Sequence, residues 1–393
     1  MDFDVNPFRP GAGRVPPELA GRSGLISEFS QLLYQARETG EGQRPWILSG
    51  LRGVGKTALL NQLGREAVQL KLVFIKVEAT RTTSLSVSLS KELHLALRRL
   101  MSASDRAREL WTRAAGALKS FQLRFDPDGT YALGLTVEAA RGVADSGDLA
   151  VDVQELFEQI GEAARDTNTV LVIAVDELQE APINDLTGLN VALHALGQAP
   201  NPVPVMFIGA GLPSLPAVLA DATSYAERLY DYRQLGLLDE TATASALEVP
   251  TRVHGVMWDE DALAAAVRAT GGYPYFIQAL GSHVWLARTS DQINADDVAL
   301  GSALAQNEVD QGLYQSRWER ATPQQRAFME AMSADNDSPS ALTAIATRVG
   351  KKRSGISVTR DLLIRSGHIY APDRGYVAFT VPGMASFIRR QRR

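Results

Sequence analysis

The stretch SGLRGVGKTALL, residues 49–60, places three glycines in front of a lysine and a threonine, between two apolar runs. It fits the pattern G-x-x-x-x-G-K-[ST], with Gly50, Gly55, Lys56 and Thr57 at the fixed positions. Glycines let a loop turn with its backbone N–H groups pointing inward, and a following helix adds the positive end of its dipole. The stretch therefore predicts a phosphate-binding loop, in which Lys56 reaches the β- and γ-phosphates and Thr57 holds Mg²⁺.

The sequence on either side of this loop alternates between strand-like and helix-like patterns. Short apolar runs predict strands at residues 46–48, 72–77, 170–175, 205–208 and 229–232. Apolar residues at helical spacing predict helices at residues 25–33, 57–68, 88–118 and 152–164. Such alternation is typical of a parallel sheet covered by helices on both faces. From about residue 241 the pattern is mainly helical.

Two adjacent carboxylates follow the most apolar of the predicted strands. In VLVIAVDELQ the strand ends with Asp176 and Glu177. Ligands of open α/β sheets bind beside the carboxyl ends of the strands. We therefore expect Asp176 to complete the Mg²⁺ shell and Glu177 to polarise an attacking water molecule.

A β-hairpin is predicted within the segment that separates these motifs. Phe121–Phe125 and Tyr131–Leu135 alternate apolar and polar residues around the turn sequence DPDGT. We interpret this hairpin, residues 121–135, as structural decoration of the sheet-and-helix pattern.

The composition excludes several kinds of chemistry. The 393 residues include no cysteine, which removes disulfides, thiolate zinc sites and thiol catalysis. The N-terminal sequence MDFDVNPFRPGAG lacks the apolar core of a signal peptide. The longest apolar run, residues 170–175, is far shorter than the roughly 18 residues of a membrane span. We expect a cytoplasmic protein with no membrane partner.

Charge is distributed unevenly along the chain. Residues 311–393 carry 14 Lys and Arg against 6 Asp and Glu, whereas residues 1–310 carry 26 against 39. A basic C-terminal part on an acidic body indicates a negatively charged partner, and a solvated basic face is the alternative.

The basic part has the element order of a winged helix-turn-helix. Three predicted helices, at residues 321–333, 339–350 and 356–367, precede two short strands around a Pro-Asp-Arg-Gly turn. In the third helix we expect Val358, Leu362 and Leu363 to face inward. Basic side chains surround this helix and the turn, and we expect them to contact the phosphates of double-stranded DNA. They are Lys351, Lys352, Arg353, Arg360 and Arg374.

With these motifs the chain resembles the AAA+ P-loop ATPases, in particular the origin-recognition-like and STAND-type ATPases of bacteria. GLRGVGKT corresponds to Walker A and VIAVDE to Walker B. GRVPPELAGRSGLI resembles the segment before the family's first helix, and ATGGYPYFIQ resembles the G-x-P signature of its lid. The resemblance implies that ATP is bound by Gly21, Arg22, Gly50, Leu51, Arg52, Gly53, Val54, Gly55, Lys56, Thr57, Ala58, Tyr273 and Pro274, and Mg²⁺ by Thr57 and Asp176.

Two positions bear on hydrolysis in this family. Relatives carry a sensor residue at the end of the fourth strand, where this chain has Gly209-Ala210-Gly211, so we expect slow turnover. Relatives often place an arginine finger before the fifth strand, a position that Arg228 holds. A finger implies an ATP-dependent homo-oligomer, and pairing of Arg228 with Glu227 or Asp231 is the alternative.

The sequence therefore predicts an α/β P-loop NTPase sheet with helices on both faces, followed by a small helical lid and a winged helix-turn-helix domain. The expected boundaries are an extended segment at 1–22, an ATPase core at 23–240, a lid at 241–315 and the winged helix at 316–393. We interpret the protein as an Mg²⁺-dependent ATPase that acts as a nucleotide-controlled switch and presents its winged helix to DNA. The alternatives are a signalling or assembly ATPase whose winged helix contacts protein, and a nearly inactive nucleotide-binding scaffold.

Overall fold

A computed structural model describes residues 5–101, 105–125 and 137–391. The chain divides into two compact units, each with its own hydrophobic core. The sheet unit comprises Gly24–Ser49 and Leu60–Gln234. The C-terminal unit comprises the residues up to Ser23, the segment Gly50–Leu59 and the residues from Leu235 onward. The glycine-rich loop therefore groups with the C-terminal unit.

The sheet unit is built from alternating helices and strands. Its elements are α1 (Ser23–Thr39), β1 (Trp46–Gly50), α2 (Lys56–Gln69), β2 (Val73–Glu78), α3 (Leu85–Met101), α4 (Asp105–Phe125), α5 (Leu149–Asp166), β3 (Leu171–Asp176), α6 (Ile183–Gln198), β4 (Val205–Gly211), α7 (Leu215–Ala222), α8 (Ala226–Leu229) and β5 (Asp231–Leu235). The strands form one parallel sheet in the order β2-β3-β4-β1-β5. Every residue of β1, β3 and β4 is buried, as expected for central parallel strands. The predicted α/β P-loop NTPase class is confirmed.

The register of the sheet places the carboxyl ends of its central strands at one edge. Val175 of β3 lies beside Gly209 of β4, and Ser49 of β1 lies beside Gly211 of β4. Asp176, the last residue of β3, is thus at the same edge as the end of β1. This is the edge where parallel α/β sheets bind ligands.

The predicted hairpin at residues 121–135 is wrong in its first half. Phe121–Phe125 form the end of α4, and Tyr131–Leu135 lies outside the described residues. Trp111, Leu118 and Phe121 are buried at helical spacing along α4. This long apolar stripe outweighs the short alternation of polar and apolar residues from which the hairpin was predicted.

The C-terminal unit is mainly helical. Its elements are α9 (Glu240–Arg252), β6 (Met257–Trp258), α10 (Glu260–Thr270), α11 (Pro274–Ala287), β7 (Gln292–Ile293), α12 (Ala295–Val309), α13 (Ser316–Arg320), α14 (Pro323–Ser333), β8 (Ser340–Ala341), α15 (Leu342–Arg348), α16 (Ser357–Arg365), β9 (Ile369–Tyr370), β10 (Tyr376–Phe379) and α17 (Met384–Gln391). A π-helical turn, Asp310–Gln315, joins α12 to α13. Helices α11 and α12 approach closely at Gly301, where a Cβ atom would lie 2.7 Å from the backbone nitrogen of Val284.

We call residues 316–391 the C-terminal segment. Its helices accompany a three-stranded sheet in the order β8-β10-β9, in which β10 is antiparallel to both neighbours. Thr322 and Gln325 form a capping box at the start of α14. This order of elements is compatible with the predicted winged helix, and it contains β8 and α17 beyond the predicted elements. Across the described residues, no helix combines the length and the apolar character needed to cross a membrane.

Candidate functional site

In the phosphate loop, Gly50–Thr57, two glycines adopt backbone conformations that favour glycine over other residues. Gly53 and Gly55 have φ angles of +76° and +94°, a region that residues with a side chain rarely adopt. A Cβ atom at Gly55 would meet no other described residue within 4 Å, so the loop is open there. Lys56 is only 6% exposed, and its Nζ donates hydrogen bonds to the carbonyl oxygens of Gly50 (3.0 Å) and Leu51 (2.9 Å). A buried ammonium group at the start of a helix fits an anionic ligand such as phosphate.

Tyr273, from the G-x-P signature, lies on the phosphate loop. Its hydroxyl donates a hydrogen bond to the carbonyl of Arg52 (3.1 Å), and the backbone amide of Tyr275 donates to the carbonyl of Gly53 (3.1 Å). A Cβ atom on Gly53 would come within 2.2 Å of the Tyr273 hydroxyl, so a side chain does not fit there. Burial raises the pKa of Tyr273, which keeps this hydroxyl a neutral donor. Pro274 follows as the first residue of α11.

Arg52 also contacts the C-terminal segment, a contact that no motif in the sequence indicates. Its backbone amide donates a 2.8 Å hydrogen bond to the carbonyl of Thr380. Thr380 is fully buried, and its hydroxyl donates to the carbonyl of Gly367 (2.6 Å). Gly367 has a φ of +68°, and a Cβ atom there would lie 2.9 Å from Nη2 of Arg52. The phosphate loop is thus bonded both to the start of α11 and to the residue that follows β10.

The predicted motif before α1 lies against the start of α9. Gly21 has a φ of +69°, and a Cβ atom there would lie 3.1 Å from the Cβ of Ala242. Nη2 of Arg22 donates a hydrogen bond to the carbonyl of Gly236 (2.6 Å). Burial lowers the pKa of Arg22 from its ordinary value. The motif is therefore held against the residues between β5 and the first part of α9.

Asp176 and Glu177 follow the predicted strand in the sheet unit. Asp176 is buried, with Nζ of Lys76 3.6 Å from its Oδ2, and Lys76 also donates to Oδ1 of Asn61 (2.7 Å). The backbone amide of Glu177 donates to Oδ1 of Asp176 (3.0 Å). Glu177 adopts a left-handed backbone with φ +49° and ψ +38°. This conformation costs a residue with a side chain about 1 kcal/mol or more, and such strain is frequent at functional positions.

Arg228 lies near the opposite edge of the sheet. It is exposed in α8, immediately before β5. The backbone amide of Asp231 donates to the carbonyl of Pro45 (2.8 Å), which brings together the amino ends of β5 and β1. The side chain of Asp231 binds Arg233 (2.6 Å). Arg228 lines a cavity of about 710 Å³ together with Arg44.

The five basic residues predicted to contact DNA differ in exposure. Lys351, Lys352, Arg353 and Arg374 are exposed. Arg360 is partly exposed, and its Nη1 lies 2.9 Å from Oδ1 of Asp361. The exposed group is therefore the one available to a negatively charged partner.

The prediction that Val358 and Leu362 face inward is wrong. Val358 is 69% exposed and Leu362 is 44% exposed, whereas Leu363 is fully buried. Ile356 and Leu363 are seven residues apart, about two helical turns, so both reach the core from one side. Val358 and Leu362 are four residues apart and form a neighbouring pair on the exposed face of α16.

The residues expected to hold Mg²⁺ supply a small number of ligands. Thr57 offers one hydroxyl and Asp176 one carboxylate. Within the described residues, no group of three or more His, Cys, Asp or Glu side chains is placed to hold a metal ion. Mg²⁺ commonly keeps several waters and binds through one or two carboxylates plus the phosphates of a substrate. A hydroxyl and a carboxylate are each of a type that Mg²⁺ binds beside the phosphates of a nucleotide.

Two family models match parts of the chain. Residues 18–208 match the AAA ATPase domain, and residues 311–388 match a domain of unknown function, DUF8462. A search of curated proteins found no match.

Solved structures share this fold over nearly the whole chain. The Walker-type ATPase of Pyrococcus abyssi is 16% identical with a TM-score of 0.60, over 99% of this chain and 100% of that one. The ORC2 protein of Aeropyrum pernix, solved as ADPNP–ADP complexes, is 12% identical with a TM-score of 0.56, over 97% and 96%. At these identities the likeness shows a P-loop NTPase fold. The match over residues 18–208 adds that this part of the chain is similar to the AAA ATPase domain.

Proposed function

We propose that this protein binds Mg-ATP, hydrolyses it slowly and uses its nucleotide state to control what its C-terminal segment contacts. The observation that carries the proposal is the phosphate loop. Gly53 and Gly55 have positive φ angles, and Lys56 is buried at the start of α2. The backbone N–H groups of the loop bind phosphate oxygens, and Lys56 pairs with the β- and γ-phosphates.

The remaining predicted residues complete the site. Thr57 and Asp176 hold Mg²⁺, which supplies positive charge against the phosphates. Glu177 orients the attacking water. Tyr273, with Pro274, faces the nucleotide from the lid, and the Gly21-Arg22 motif lines the adenine side.

Slow hydrolysis is proposed because β4 ends in Gly209-Ala210-Gly211, with no side chain of a sensor type. A nearly inactive scaffold is the alternative, and measured turnover separates the two. Arg228 is exposed near the amino end of β5. As an arginine finger it would act on the nucleotide of a neighbouring copy, so sedimentation with a non-hydrolysable ATP analogue should show assembly that Arg228→Ala weakens.

Coupling to the C-terminal segment is supported by the hydrogen bond from Arg52 to Thr380. A phosphate that reshapes the loop changes the position of the Arg52 amide. The C-terminal segment must then follow or lose the bond. Nucleotide state thereby alters which surfaces of the segment are available.

Double-stranded DNA is the partner that the charge supports. Lys351, Lys352, Arg353 and Arg374 are exposed in a segment with a net positive charge. These side chains neutralise backbone phosphates, which is the main source of affinity for a duplex.

A protein partner is the second candidate, and the exposed face of α16 favours it. Val358 and Leu362 present an apolar pair, and Asp361 lies on the same face. An acidic residue on a helix that enters a groove repels phosphates, whereas an exposed apolar pair is typical of protein contacts.

The central test measures nucleotide binding and turnover by the full chain. Mg-ATP at 100 times its Kd should stabilise the fold by about 2.7 kcal/mol, and chelation of Mg²⁺ should reduce the effect. Phosphate release reports hydrolysis on the same samples. Equal thermal stability with and without Mg-ATP would overturn the proposal.

A further inference from the structure

The end of β4 offers no polar side chain of its own, and a residue from the turn after β3 fills the space. A Cβ atom on Gly211 would lie 2.2 Å from Oε1 of Gln179. A Cβ atom on Gly209 would lie 2.6 Å from Cδ2 of Leu178. Both glycines thus leave room for the turn that follows β3, and the amide of Gln179 reaches the end of β4.

Gln179 makes two hydrogen bonds that fix the orientation of its amide. The backbone N–H of Leu212 donates to Oε1 of Gln179 (3.1 Å), and Nε2 of Gln179 donates to Oε2 of Glu177 (2.6 Å). A backbone N–H only donates and an ionised carboxylate only accepts, so exchanging the amide oxygen and nitrogen would break both bonds. Gln179 therefore links the carboxylate of Glu177 to the first residue after β4.

The backbone after β3 holds Gln179 in this place. Glu177 has a positive φ, which turns the chain sharply out of β3. The backbone amide of Glu180 donates to the carbonyl of Glu177 (2.8 Å), and Leu178 is fully buried. The position of Gln179 is thus set by a short helical turn anchored in the core.

We propose that Gln179 is a positioning residue for ATP hydrolysis. Its amide holds the carboxylate of Glu177 and supplies, from the turn after β3, the polar contact that Gly209-Ala210-Gly211 lacks. The inference deepens the proposed function and rests on its hydrolytic step. Gln179, two positions after Glu177, thus holds the carboxylate that orients the attacking water.

Two substitutions separate the two hydrogen bonds. Gln179→Ala removes both, and kcat should fall at least about 10-fold with KM and the Mg-ATP thermal shift unchanged, because a misplaced group costs this much or more. Gln179→Glu keeps an acceptor for Leu212 but sets a second carboxylate against Glu177, so kcat should also fall. Gln35→Ala, at an exposed position of α1, is the control and should leave kcat unchanged.

Hydrogen exchange at the Leu212 amide provides a readout that does not depend on turnover. Exchange should be faster in Gln179→Ala and remain slow in Gln179→Glu. If the wild type turns over and Gln179→Ala leaves kcat unchanged, the positioning role is wrong and hydrolysis stands. If the wild type shows no turnover, the proposed ATP hydrolysis is wrong, and so is the role of Gln179 in hydrolysis. Unchanged Leu212 exchange in Gln179→Ala would in either case overturn the link between Glu177 and β4.

Discussion

The backbone amide of Arg52, in the phosphate loop, donates a 2.8 Å hydrogen bond to the carbonyl of Thr380, directly after β10. Both partners are main-chain groups, so the bond depends on backbone positions and persists through most side-chain changes. Thr380 is fully buried and also bonded through its hydroxyl to Gly367, so it moves with the segment around it. A shift of the loop is therefore transmitted to the C-terminal segment or breaks the bond.

Lys56→Ala should abolish most nucleotide binding. The substitution removes the ammonium group that pairs with phosphate and leaves the carbonyls of Gly50 and Leu51 without their donor. The fold should survive, because the ammonium group of Lys56 bonds to carbonyl oxygens of the loop and is not part of a hydrophobic core. Thermal shift with Mg-ATP measures the loss, and Lys91→Ala at an exposed position of α3 is the control. An ATP-dependent shift of wild-type size in Lys56→Ala would contradict the assignment.

Glu177→Gln should separate binding from hydrolysis. The amide keeps the shape of the side chain but removes the negative charge that orients water. We expect Mg-ATP affinity to be retained and turnover to fall at least about 100-fold, the range of general-base catalysis. Phosphate release under saturating Mg-ATP is the measurement. A wild type with no turnover above background would instead favour the nucleotide-binding scaffold.

The stability of the C-terminal unit should depend on pH through His368. Burial lowers the pKa of His368 below its ordinary value of 6.5, and Arg317, Arg52 and Arg320 lower it further, against the opposing effect of the Arg317 carbonyl. Since the unfolded state then takes up the proton first, the free energy of unfolding should fall as the pH drops below about 7. The loss should level off once the folded state is protonated too. Urea denaturation between pH 8 and pH 5 measures it.

His368→Gln tests the cause of this pH dependence. Nε2 of His368 lies 3.1 Å from the carbonyl of Arg317, and a glutamine amide can donate to the same oxygen without titrating. The substitution should flatten the pH dependence, whereas His254→Gln, at an exposed position of the same unit, should leave it in place. Identical curves for wild type and His368→Gln would show that another group titrates.

The sheet and the motifs at its ends were predictable because their signals are local. Apolar runs predict the buried strands. The pattern of Gly, Lys and Thr residues in Gly50–Thr57 predicts the conformation of the phosphate loop. The hairpin prediction was wrong at Phe121–Phe125 because these five residues continue a longer helix. The buried apolar stripe of that helix includes Trp111 and Leu118 and outweighs the short alternation.

Contacts between distant parts of the chain were not predictable in the same way. The bond from Arg52 to Thr380 joins backbone groups, which carry no signal in side-chain identity. The role of Gln179 has no motif of its own. The only related signal in the sequence is the run of small residues at the end of β4, where the side chain of Gln179 occupies the space beside Gly211. Val358 and Leu362 were predicted to face inward because they are apolar. The prediction failed because α16 has only nine residues and buries Leu363 alone, which leaves the other two exposed.

The partner of the C-terminal segment can be identified by substitutions at two adjacent surfaces. If the partner is a duplex, the logarithm of affinity should fall linearly with the logarithm of salt, with a slope near −0.9 for each phosphate contacted. Replacing Lys351, Lys352 and Arg353 together by alanine should flatten this slope by about 2 to 3 units. ATP binding should remain unchanged, because these side chains are exposed and distant in sequence from the phosphate loop.

Val358→Ser with Leu362→Ser provides the matched comparison. This pair of changes removes the apolar patch of α16 and keeps every charge, so DNA affinity and its salt slope should stay at wild-type values. The measurement uses the full chain with ATP, with ADP and without nucleotide, because the proposed coupling through Arg52 predicts that affinity changes with nucleotide state. A salt slope that the triple substitution leaves unaltered would exclude these three phosphate contacts. If, in addition, no duplex binds at low salt in any nucleotide state, DNA is not the partner, and the apolar pair on α16 becomes the surface to test against protein.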